Sequence, residues 1–335
     1  MTLEQQHRAI ETFGYTEAEA RFLRLVALHG GYFVRRQFLL SAQCDPGKRA
    51  QDFLERLLAR KHACREIFRE DRHLFRLHFK PIYAAIGEDD NRNRREHQPN
   101  TIRLRLMGLD FVLEHPEHEY LATGSDKLSY FVGSRGIDAG LLPARAFYVR
   151  GVLIRRQFID GFPLFLRRDT TPNICFCYVD DGQLSTAAFR SYLRQHQRLF
   201  QALGTVNLYF LTQESRRFDA ALRVLRRFTN RVADSTGTTI DVTRLLAHFP
   251  HRLLWERRQT GTLSKDQMDR LAEDLHTFNQ DRHERLFELW RERGDEAVRG
   301  ELATETVRQT ALDVDLTACL LEHDYDLFGD LRAAS

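Results

Sequence analysis

Between Tyr15 and Phe79 the chain carries three short stretches of helical periodicity in quick succession and then switches to alternation. This change of period limits the fold more than any other feature. The first helix is predicted from Thr16 through Phe22, Leu23, Leu25 and Val26 to Leu28, with Thr16 and Glu19 as a capping box and Gly30-Gly31 as its stop. The second is predicted over Val34 to Ala42, with Phe38 and Leu39 facing inward. The third opens at Asp45-Pro46, a cap residue followed by proline at the first helical position. It places Ala50, Phe53, Leu54, Leu57 and Leu58 on one face, and Lys48, Arg49, Gln51, Asp52, Arg56 and Arg60 on the other. From Leu74 to Phe79 the period becomes two. Phe75, Leu77 and Phe79 lie on one side, Leu74, Arg76 and His78 on the other, and Glu70-Asp71-Arg72 make the turn before them.

Three helices and a hairpin in this order predict a winged helix-turn-helix over residues 1–87. The third helix would enter a major groove, and the hairpin would lie beside the phosphate backbone. The groups expected to contact double-stranded DNA are Arg35 and Arg36 on the second helix, Lys48, Arg49, Gln51 and Arg56 on the third, and Arg72 and Arg76 on the hairpin. The alternative is a small domain of the same shape that binds protein or only packs.

Charge favours the first expectation. Residues 1–110 hold 20 Lys and Arg against 15 Asp and Glu, and residues 111–240 hold 17 against 12. Residues 241–335 reverse the balance, with 13 against 20. A basic surface attracts phosphate by counterion release, whereas an acidic tail is a poor DNA surface and a possible contact for a protein partner. Of the 50 basic residues only five are lysine, a bias that a GC-rich genome also produces. Five scattered cysteines do not form a disulfide framework, the first residues do not read as a signal peptide, and no apolar run is long enough for a membrane span. A cytoplasmic protein that does not engage a membrane is expected.

Beyond the hairpin, Pro81 to Ile86 reads as a short helix ended by Gly87. Residues 88–117 read as a polar connector and a helix with apolar residues from Ile102 to Leu113. Residues 118–240 turn toward an α/β pattern. Tyr120 to Thr123 and Phe162 to Leu166 are short strands, Ala146 to Arg150 pairs with Val152 to Ile159 across Gly151, and Asn173 to Val179 is apolar enough for a central strand. A helix over Thr186 to Leu203, a strand over Val206 to Leu211 and a helix over Ser215 to Phe228 complete a crossover unit. Residues 241–335 are expected to be helical, over Val242 to Phe249, Ser264 to Trp290 and Glu296 to Leu321. The fold class is therefore α/β, or α+β overall.

Phe162-Pro-Leu-Phe165, then Phe176-Cys-Tyr-Val-Asp-Asp-Gly182, then the helix from Thr186 resemble the replication-relaxation family of plasmids and integrative elements, over roughly residues 15–230. The resemblance implies a winged helix joined to a restriction-endonuclease-like domain. It also implies an acidic residue where this chain has Tyr178. A nuclease of that fold needs carboxylates for Mg²⁺, usually with a lysine two residues after one of them. No acidic-x-Lys occurs at any of the five lysines, so only Asp160, Asp180, Asp181 and Gln183 remain for such chemistry. Two aspartates before a glycine more often turn the chain and cap a helix. No catalysis, cofactor or metal is expected.

Other patterns point to packing. Cys175 and Cys177 lie in the apolar strand and are expected on opposite faces of the sheet, too far apart to share a metal. His115-Pro-Glu-His118 and His248-Phe-Pro-His251 lack cysteine companions for zinc. Gly124-Ser-Asp-Lys127 lacks the glycine and the Gly-Lys-Ser/Thr ending of a phosphate loop. The expected whole is a transcription regulator encoded by a mobile element. It would act as a homodimer on a palindromic site, with residues 241–330 (Trp255, Phe278, Phe287, Leu289, Trp290) supplying much of the interface. The alternatives are a metal-dependent nuclease or relaxation accessory protein, and a protein adaptor that does not bind DNA.

Overall fold

The Thr16 hydroxyl accepts the Glu19 N–H at 3.4 Å, and the Glu19 carboxylate accepts the Thr16 N–H at 2.9 Å, so the first predicted helix starts where its sequence says. The structure is a computed structural model that describes residues 1–67, 73–149, 152–158, 161–167, 173–183, 185–237, 242–278, 281–308 and 312–325. The turn at Glu70 to Arg72, and Asp160, lie outside the described residues. The protein is mixed α/β with several sheets, and among the described residues none closes into a barrel.

Helix α1 (Leu3–Glu11), capped by Thr2, precedes everything expected from the sequence. Then come α2 (Glu17–His29), strand β1 (Tyr32–Val34), α3 (Arg35–Ala42), α4 (Lys48–Ala59), and strands β2 (Ala63–Ile67) and β3 (His73–Leu77). The strands form one antiparallel sheet in the order β1-β3-β2. The third helix does not begin at Asp45-Pro46. Gln43 ends α3 in the left-handed region at φ 46°, and the chain needs the residues up to Gly47 to turn before α4 opens at Lys48. Phe22, Phe33, Phe38, Phe53 and Phe75 fill the core of this region, with Phe38 and Phe53 stacked at 4.1 Å. The other side of the small sheet is also buried, because Tyr32 and Leu74 pack with Ile102, Leu106 and Phe111. Those last three belong to α6 (Pro99–Glu114), which follows α5 (Lys80–Ala85). A helix covered on nearly all sides loses its amphipathic signature.

The larger sheet has the order β10-β9-β8-β7-β4. It is built from β4 (Glu119–Tyr120), β7 (Leu164–Arg167), β8 (Asn173–Asp180), β9 (Thr205–Thr212) and β10 (Asp313–Leu320). A short helix α7 (Gly124–Leu128) and a hairpin of β5 (Ala144–Val149) with β6 (Val152–Gln157) come between β4 and β7 along the chain. Strand β8 is central, antiparallel to β7 and parallel to β9 through α8 (Thr186–Leu203). Helix α6 covers the face that carries Phe165, Cys175, Cys177, Val179 and Leu211. The two cysteines thus share a face, contrary to expectation, since residues two apart on a strand point the same way. Phe189, Tyr192 and Phe200 of α8 cover the opposite face against Phe176, Tyr178 and Phe210.

Residues 241–335 differ most from expectation. Helix α9 (Ser215–Gly237) is followed by α10 (Val242–Glu256), which continues through Pro250 instead of ending at Phe249. The helix expected over Ser264 to Trp290 is divided between α11 (Lys265–Thr277) and α12 (Asp281–Arg308), and α12 itself breaks at Gly294, φ 77°. The helix expected over Glu296 to Leu321 ends early, because Asp313–Leu320 is strand β10, paired in parallel with β9. Two compact units result, Met1–Phe228 with Asp313–Ser335, and Thr229–Leu312. Phe278 and Phe287, expected at a subunit interface, sit with Leu245, Phe249, Val298 and Leu302 in the core of the second unit, while Trp255 is half exposed. No helix among the described residues is long and apolar enough to cross a membrane.

Candidate nucleic-acid interface

Buried Phe53 and Leu57 anchor α4, so Lys48, Arg49 and Gln51 face solvent in its first turns. Arg35, at the start of α3, is also exposed. Farther along α4 the outer face turns acidic, with Asp52 and with Glu55, which accepts a hydrogen bond from Gln51 Nε2 at 2.8 Å. Open positive charge is therefore confined to the beginning of the helix.

Three other basic groups that the sequence assigns to DNA are engaged inside the protein. Arg36 Nη2 reaches Asp110 Oδ1 at 2.7 Å and Oδ2 at 2.8 Å, and donates to the Tyr325 hydroxyl at 2.8 Å. Buried Gln37 donates to the same carboxylate and to the Leu106 carbonyl, both at 2.9 Å. Burial pushes the Tyr325 hydroxyl well above its ordinary pKa, which keeps it a neutral donor to Asp110. Arg56 pairs with buried Glu19, and Arg60 donates to the Phe13 carbonyl. Arg76, expected on the open side of the wing, lies between Glu96 at 2.8 Å and Glu66 at 3.7 Å, because that side packs against the chain leading into α6. Arg72 falls outside the described residues. The sequence could not separate these groups, since an arginine that holds a domain together and one that faces solvent occupy the same polar positions of a helix or strand.

The carboxyl end of β8 gathers the other candidates. Asp180 is buried and meets the Arg217 guanidinium side-on, with Nε to Oδ2 at 2.7 Å and Nη2 to Oδ1 at 2.8 Å. These bonds to Asp180 raise the Arg217 pKa further. Asp181 Oδ1 accepts the Gln183 N–H at 3.1 Å across Gly182, φ 76°, which is the turn that the Asp-Asp-Gly spacing predicts, while the cap of α8 falls to Ser185 and not to the aspartates. Asp160 lies outside the described residues. The Tyr178 ring, where the resemblance implies an acidic residue, packs among Phe162, Phe189 and Phe210 at 5.4, 4.8 and 5.6 Å. Burial, then the neighbouring aspartates, raise its hydroxyl pKa. A bidentate arginine already occupies both oxygens of Asp180.

The remaining patterns fall into place locally. Gly124 to Lys127 is the short helix α7 capped by Thr123 and Asp126, and Lys127 is buried with Nζ 5.3 Å from the Phe158 ring centre. His248 is buried in the second unit, and burial lowers its pKa to about 4, so it is neutral there at neutral pH. No protein family, curated protein or solved structure matches the chain.

Proposed function

We propose that the chain is a sequence-specific double-stranded DNA-binding protein that regulates transcription from a mobile element, acting as a homodimer on a palindromic site. What carries the reading is the order α2-β1-α3-α4-β2-β3 with strand order β1-β3-β2, the arrangement of a winged helix-turn-helix, together with the exposed Lys48, Arg49 and Gln51 at the start of α4. In such a domain the recognition helix presents its N-terminal residues to base edges. Arg49 suits guanine, Gln51 suits adenine, and Lys48 suits a phosphate or guanine. Asp52 and Glu55 restrict phosphate contact to the first turns, and a carboxylate there can accept from the cytosine amino group.

On this reading the five-stranded unit is a restriction-endonuclease-like domain without catalysis. The support is local: Asp180 is closed by Arg217, Asp181 turns the chain, and an aromatic side chain fills the acidic position. Assignment to the replication-relaxation family and to a mobile element rests on the resemblance of residues 162–165 and 176–182. Footprinting of the DNA upstream of the reading frame tests the proposal, with an inverted repeat protected and affinity falling as salt rises. Light scattering should give close to twice the 39.3 kDa chain mass. Absence of salt-dependent binding to any duplex would favour a protein adaptor.

A further inference from the structure

The turn that leaves α6 holds His115, Pro116, Glu117 and His118. Its backbone closes from the His118 N–H to the His115 carbonyl at 3.4 Å, and the Tyr120 hydroxyl donates to the same carbonyl at 3.0 Å. Proline in the second position fixes such a turn. The two rings are held from behind. His118 lies parallel to buried Phe165, with centroids 4.2 Å apart and planes 6° apart, and His115 rests on Phe111 at 4.7 Å. In front of them one carboxylate oxygen serves both. Glu117 Oε1 is 3.4 Å from His115 Nδ1 and 3.6 Å from His118 Nε2. All three ligand atoms lie within 4.8 Å of one another, and this is the one such histidine and carboxylate group among the described residues.

We infer that His115, Glu117 and His118 form a binding site for a divalent transition-metal ion of the zinc class, at the end of α6 on the edge of the five-stranded sheet. The two distances to the carboxylate oxygen exceed the ordinary 2.7–3.2 Å of a hydrogen bond. They match the separation of about 3.3–3.6 Å between neighbouring ligands on a tetrahedral ion with bonds of about 2.0–2.2 Å. The two nitrogens lie within 4.8 Å of each other, and His115 is the more exposed of the two rings. Two imidazoles and a carboxylate suit Zn²⁺, Co²⁺ or Ni²⁺ better than Mg²⁺ or Ca²⁺, which prefer an all-oxygen set. Three protein ligands leave a fourth position for water or for a group from another molecule. His115-Pro-Glu-His118 has no cysteine companions, and the glutamate between the histidines is the third ligand.

The test is titration of untagged, chelator-treated full-length protein with Co²⁺, followed by visible absorption, and then competition by Zn²⁺. One equivalent should bind and be displaced by Zn²⁺, and Zn²⁺ should raise the melting temperature, since an ion that binds only the folded state stabilises it. Two variants keep the fold while removing a ligand. His118→Phe retains a ring on Phe165, and Glu117→Gln alters an exposed side chain. Each should weaken binding by at least about tenfold, and Glu117→Gln should leave the melting temperature in chelator unchanged. Absence of saturable Co²⁺ binding, or binding unaltered in both variants and so due to others of the 14 histidines, would overturn the site.

Discussion

The first turns of α4 and the carboxyl end of β8 both gather charged residues that a sequence reader would mark for function, and they differ in what meets the charge. On α4, Lys48 and Arg49 stand in solvent. At β8, Asp180 is buried against Arg217 and Asp181 holds a turn. A charge in water is free to exchange its hydration for a ligand, whereas a buried charge satisfied by its own protein is committed to the fold. Arg36, Arg56 and Arg76 belong with Asp180 in this respect, although they come from the same domain as Lys48 and Arg49.

The largest effect should follow from breaking the β8 pair. Arg217→Ala leaves Asp180 buried without its bidentate partner and should cost about 3–5 kcal/mol of stability, read as a lower melting temperature. An unchanged melting temperature would mean that Asp180 is solvated and free for another role, which would erase the contrast. On α4 the effect should appear in binding instead. Arg49→Ala should lose about 1–3 kcal/mol of affinity for the best site, with melting unchanged. Arg56→Ala sharpens the comparison within one helix: it leaves Glu19 buried without its partner and should cost about 1–3 kcal/mol of stability, with sequence preference retained.

Smaller effects separate Lys48 from Arg76. Loss of a phosphate contact should flatten the dependence of log affinity on log salt by about one unit, so Lys48→Ala should do this. Arg76→Ala, whose guanidinium is already neutralised by Glu66 and Glu96, should leave the slope alone. The smallest expected effect is none. With Mg²⁺ or Mn²⁺ neither linear nor supercoiled DNA should be cut, and Asp181→Ala should change nothing on a gel. Cleavage that vanishes in that variant would make β8 the functional end after all.

Much of the chain could be read locally. The Thr16 capping box, the helix over Thr186–Leu203 and the pairing of β5 with β6 were each specified by a few neighbouring residues. Strand β10 was missed although Asp313-Val-Asp-Leu alternates, because residues before it are good helix formers and its partner β9 lies a hundred residues away. Of the expected DNA contacts, Lys48, Arg49, Gln51 and Arg35 were open to solvent, while Arg36 was taken by Asp110, a residue of α6 that no local pattern links to α3.

What the sequence determined by itself were the elements with strong local signals, such as the Thr16-capped helix and the helix over Thr186–Leu203, since periodicity, caps and turn residues act over a few positions. Only the tertiary structure decided which charges remain available. Burial and pairing depend on residues distant in the chain, as Tyr325 and Asp110 do for Arg36, and Arg217 does for Asp180. The same long-range closure laid Phe165 behind His118, where Glu117 Oε1 stands close to both histidine rings.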